Sequence, residues 1–65
     1  MASSKKDFIN YFNHSLKSAN ESKVWICLLR DLNKGDSKEI KWLLEELVEI
    51  SKVLAASILT LKGKK

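Results

Sequence analysis

No proline occurs in these 65 residues, and glycine occurs only twice, at positions 35 and 63. Inside a helix, proline costs about 3 kcal/mol and glycine about 1 kcal/mol relative to alanine. A chain that avoids both can run in long helices. The one strong interruption is Asn33-Lys34-Gly35-Asp36. Gly35 suits the left-handed conformation that ends a helix. Asp36 suits the cap of the next one, with Glu39 as its capping-box partner. Ser4 followed by Asp7 forms a second, weaker box at the start, and Gly63 marks the far end. These signals predict one all-α domain over 1–65, with a helix over about 4–32, a turn at 33–36 and a helix over about 37–62.

Apolar spacing supports both helices. Phe8, Phe12, Ala19, Ile26 and Leu29 lie along one face of the first, with Ile9 and Leu16 beside it. Ser15, Ser22 and Lys23 interrupt that stripe. From Val24 to Leu32 the stripe widens, which predicts burial on more than one side. In the second helix Ile40, Leu47, Leu54 and Leu61 recur every seven residues, and Leu43, Leu44, Ile50 and Ile58 are expected on the same face. This is a wide bundle-type stripe, not a strict coiled-coil seam. Glu39, Lys41, Glu45, Glu46, Glu49 and Lys52 fall mostly on the opposite face, where Lys41–Glu45 and Glu49–Lys52 are the opposite-sign pairs within reach.

A short turn between two helices of about 40 Å makes an antiparallel hairpin. So short a chain buries only about 60% of its unfolded surface, and a lone hairpin encloses no core. One cysteine cannot form an intrachain disulfide, and Cys27 with His14 falls short of the four ligands of a structural zinc site. The remaining remedy is association with other chains. We therefore expect a dimer or larger assembly, a four-helix or larger bundle. Its interface is expected to draw on Phe8, Phe12 and Ile26 of the first helix. From the second it would draw on Ile40, Leu43, Leu47, Ile50, Leu54, Ile58 and Leu61.

Several function classes have no support. The longest apolar run, Val24 to Leu29, is too short to span a membrane. Lys5 and Lys6 lead into Asp7 and Asn10, not into the apolar core of a secretory signal. These features and the single thiol point to a cytoplasmic protein with no membrane partner. No catalytic motif or cofactor loop is present, so no enzyme, cofactor or metal is expected. His14 has no triad or metal partners beside it, and Cys27 sits in an apolar run. Glu45, Glu46 and Glu49 read as a solvated helix face rather than an ion site. Trp25 and Trp42 would both lie near the turn, where packing is a better account of them than base stacking.

Charge layout is more informative. The formal net charge is +4. An antiparallel hairpin brings both chain ends to one pole, gathering Lys5 and Lys6 with Lys62, Lys64 and Lys65, opposed there only by Asp7. Such a pole can contact phosphates, in RNA or DNA, with salt-sensitive affinity. The other reading of these lysines is a pair of solubilising tails.

The order of residues resembles a known family. It is carried by Ser4-Lys5-Lys6-Asp7-Phe8-Ile9, then Ser18 and Glu21, then Asp31-Leu32, then Leu43-Leu44-Glu45-Glu46, and finally Glu49-Ile50-Ser51-Lys52-Val53-Leu54. Together these look like the C-terminal half of the bacterial four-helix-bundle family of 23S rRNA intervening-sequence proteins. That family is related to the accessory variability protein of diversity-generating retroelements. The resemblance implies an up-down bundle, no enzymatic activity and homo-oligomers, pentameric barrels in full-length members. It also implies a nucleic-acid-binding role, sometimes in company with a reverse transcriptase. Ala19, Ser22 and Ser57 stand where the family tends to have leucine, which thins a bundle core.

The leading expectation is a non-enzymatic, self-associating hairpin that binds nucleic acid through its lysine pole. The alternative is a protein–protein module whose apolar face and tryptophans bind a partner protein.

Overall fold

The computed structural model describes residues 4–63. Two helices, α1 (Lys5–Asp31) and α2 (Ser37–Leu61), pack against each other as an antiparallel hairpin. The expected boundaries hold to within a residue at each end.

Each terminus has a local cause. At the start of α1 the Asp7 N–H donates to Ser4 Oγ at 3.1 Å and the Ser4 N–H donates to the Asp7 carboxylate at 3.2 Å. The box with the weaker sequence signal is thus the complete one. At the start of α2, Asp36 Oδ1 accepts from the N–H groups of Lys38 at 2.8 Å and Glu39 at 3.4 Å, and Glu39 returns no bond. One carboxylate oxygen thus serves two of the orphan N–H donors of the first turn, and this box keeps only its forward half.

The end of α1 differs from expectation. The left-handed residue after the Leu32 cap is Asn33, with φ 56°, not Gly35. The Lys34 N–H donates to the Leu29 carbonyl at 2.9 Å and the Asn33 N–H to the Arg30 carbonyl at 3.1 Å. Those are the two bonds of a Schellman motif. Gly35, with φ 83°, acts two residues later, turning the chain back toward Asp36. Gly63 follows α2 as expected, with φ 77° and its N–H donating to the Thr60 carbonyl at 3.0 Å.

The seam between the helices is thin. Ala19, Ile40 and Ile58 are the buried apolar residues, and among the described residues no large side chain is fully enclosed. Around Ile40 and Ile58 the seam face of α2 carries half-buried Leu44, Leu47, Ser51, Leu54, Ala55 and Leu61. Opposite, α1 offers half-buried Ile9, Phe12, Ser15, Leu16, Ile26 and Cys27. Leu43 and Ile50 were expected on this face and are exposed instead. They stand roughly 60–80° round the helix from Ile40 and Ile58, beyond the strip that one partner helix covers. Leu29, about 80° round α1 from Ala19, is exposed for the same reason, whereas Phe8 stands within about 20° of Ala19 and is exposed near the start of the helix. The widened end of α1 is also bare: Val24, Trp25, Leu28, Leu29 and Leu32 all face solvent, because only α2 is there to cover them.

Of the two expected ion pairs, Lys52–Glu49 forms at 3.5 Å. Lys41–Glu45 does not form, and Arg30 pairs with its neighbour Asp31 at 3.2 Å. Both observed pairs are exposed, a setting in which such pairs contribute between 0 and about 1 kcal/mol.

The shape follows from the thin seam. The hairpin measures 44 × 25 × 15 Å with a radius of gyration of 14.7 Å. A compact domain of this length would have about 11 Å.

Candidate functional site

Four surfaces carry the chemistry available to this chain. The first is the pole where α1 begins and α2 ends. Lys5 and Lys6 are exposed in the first turn of α1, and Lys62 is exposed as the C-cap of α2. Lys64 and Lys65 of the expected cluster lie outside the described residues. Asp7, the acid of this pole, is held in the capping box with Ser4. None of the three described lysines forms an ion pair within the described residues.

The second surface is apolar. Among the described residues thirteen large apolar side chains are exposed, against three buried apolar residues. Trp25 is 68% exposed and Trp42 58%. Trp25 lies toward the end of α1 and Trp42 toward the start of α2, so both stand in the turn half of the hairpin. The residues expected at an oligomer interface divide in two. Ile40 and Ile58 are spent inside the hairpin's own seam, with Phe12, Ile26, Leu47, Leu54 and Leu61 half-buried beside it. Phe8, Leu43 and Ile50 are open to solvent.

The third is a groove of about 480 Å³ on the lysine-pole half, lined by Phe12, Val53, Ala56, Ser57, Thr60 and Leu61. Phe12 also sits in an aromatic cluster, 6.4 Å from Phe8 and 5.9 Å from Tyr11 between ring centroids. Ser57, one of the residues expected to thin a bundle core, lines this groove.

The fourth surface escaped the sequence reading. Lys6, Asn10, Asn13, Lys17 and Asn20 are all exposed and succeed one another at spacings of four, three, four and three. They form one polar stripe on α1, turned away from the seam residues Phe12 and Ala19. The signal was present: helical spacing is as readable in polar residues as in apolar ones.

The isolated candidates remain isolated. His14 is exposed, and Cys27 is a half-buried free thiol. Glu45, Glu46 and Glu49 are exposed. Among the described residues no three His, Cys, Asp or Glu side chains are grouped to hold a metal ion. None of the described helices is long and apolar enough to cross a membrane.

Comparison with known proteins gives one match. A family model described as 23S rRNA-intervening sequence protein matches residues 1–56. No curated protein and no solved structure matches the chain.

Proposed function

The chain belongs to the 23S rRNA-intervening sequence protein family, and on that footing we propose that it works without catalysis, as a self-associating hairpin that binds nucleic acid through its lysine pole. The observation that carries this reading is surplus surface. The accessible area is 5363 Å². A folded monomer of this mass exposes about 4,200 Å². The excess is on the order of 1,000 Å², comparable with the roughly 800 Å² that one partner contributes to a standard interface. A second hairpin laid on the first supplies the helices that α1 and α2 lack and doubles the lysine pole.

Two measurements test this. Molar mass by light scattering over a range of concentrations is expected to give a dimer or larger species. A folded, cooperative monomer overturns the assembly. Affinity for a generic duplex is expected to fall with salt, with a logarithmic slope of about −0.9 for each phosphate neutralised. Binding that does not weaken with salt removes the lysine pole from the account.

The exposed tryptophans support a second reading, a protein partner at the turn end. Quenching of tryptophan fluorescence in the assembled protein decides between them. Shielded indoles mean that self-association covers the turn, and fully quenched ones leave it free for another protein.

A further inference from the structure

From Phe8 to Asn20 the chain contains no acidic residue. Of the exposed stripe Lys6, Asn10, Asn13, Lys17 and Asn20, the last four lie in this acid-free stretch, and Lys6, just before Asp7, joins the stripe to the lysine pole. From Lys6 to Asn20 the stripe covers fifteen residues, about 21 Å of helix. Lys6 and Lys17 bracket Asn10 and Asn13, and Asn20 stands one turn further on. A shallow groove of about 400 Å³ follows the far part of the stripe, lined by Asn13, Leu16, Lys17, Asn20, Glu21 and Val24. None of the three asparagine side chains takes a hydrogen bond within the described residues, and none caps a helix. Asparagine is a weaker helix former than lysine, glutamate or glutamine, and at exposed positions nothing else offsets that. Three of them on one stripe cost the hairpin stability that no contact inside it returns.

We propose that this stripe is a groove-reading surface: α1 enters the major groove of duplex DNA, its asparagines facing base edges and its lysines facing phosphates. The proposal rests on the nucleic-acid reading above and names the surface and the partner. The B-form major groove admits a single α-helix, and an asparagine amide pairs in two places with the N6 and N7 of adenine. Lysines eleven residues apart, about 16 Å along the axis, reach the flanking backbones. The A-form RNA duplex offers a major groove too deep and narrow for this, so DNA is the better fit.

The test uses the full chain with a pool of random-sequence duplex DNA and a matching A-form RNA duplex. The variant Asn10→Ala/Asn13→Ala/Asn20→Ala should fold at least as well as the parent, because alanine is the better helix former, and circular dichroism checks this. The parent is expected to bind with salt-dependent affinity and to enrich adenine-bearing sites by about tenfold or more. The variant should keep the salt-dependent binding and lose the enrichment. Lys17→Gln should flatten the salt slope by about one. The proposal is overturned if the variant enriches the same sites as the parent, if the parent enriches none, or if it prefers the RNA duplex. If the parent binds no nucleic acid even at low salt, the nucleic-acid reading itself fails and takes the proposal with it.

Discussion

Gly35 and Ile40 meet at the mouth of the turn: a methyl group added to Gly35 would stand 3.4 Å from Cδ1 of Ile40. That is ordinary contact, so space does not require glycine there. The backbone does, because Gly35 has φ 83°. Gly35→Ala is expected to cost about 1–2 kcal/mol through the left-handed penalty alone. Gly35→Asn should cost less, since asparagine visits that region more readily. Thermal unfolding of the two variants checks this, and an alanine variant as stable as the parent would refute the backbone account.

Asn33 stands in the left-handed position that closes α1, with φ 56°. Glycine takes this conformation with no side-chain penalty. Asn33→Gly should leave the melting temperature unchanged or higher, and Asn33→Ala should lower stability by about 1 kcal/mol. Equal melting temperatures for the two variants would mean that the Schellman bonds do not hold the turn.

Ser51 lies on the seam face of α2 with its hydroxyl oxygen buried and without a hydrogen-bond partner. Such a group loses its water and gains nothing for it. Ser51→Ala removes the orphan and adds a better helix former, so stability should rise by about 1 kcal/mol. A loss of stability on chemical denaturation would show that the hydroxyl finds a partner in the assembled protein.

Ile58 and Ile50 separate folding from assembly. Ile58 is 6% exposed, and Ile58→Ala should cost on the order of 2–5 kcal/mol, much of what so thin a seam can supply. Ile50 is 48% exposed. In an isolated hairpin Ile50→Glu should change stability by no more than about 0.5 kcal/mol. Under self-association it buries a charge and should lower the molar mass measured by light scattering. An unchanged mass would place the interface on another face.

Much of the hairpin was readable in advance because its signals are local. Asp36 caps α2, Ser4 and Asp7 cap α1, and nothing between the caps breaks either helix. Which of Asn33 and Gly35 ends α1 was not readable. Both tolerate a positive φ, and the choice depends on whether Leu32 or a later residue is the last to hold a helical bond. The seam was partly misassigned for a different reason. Ile40, Leu43, Ile50 and Ile58 all fit one broad stripe in sequence. Which flank of that stripe meets α1 depends on how the helices cross and how closely they approach, and small residues such as Ala19, Ser51 and Ala55 influence that without announcing it. The lysine pole needed only the antiparallel topology. The asparagine stripe gives no apolar signal: its residues are exposed and polar, and the helical repeat that joins them shows only in their spacing.

The antiparallel course of α1 and α2 has a practical consequence for anyone handling the protein. An affinity tag or fluorophore fused at either terminus hangs beside Lys5, Lys6 and Lys62, where it crowds or neutralises the positive pole. Moving the tag from one end to the other does not help, since α1 begins and α2 ends at that pole. A reporter attached at exposed Lys34, on the connecting turn at the opposite end, leaves the charged end of the molecule as it is.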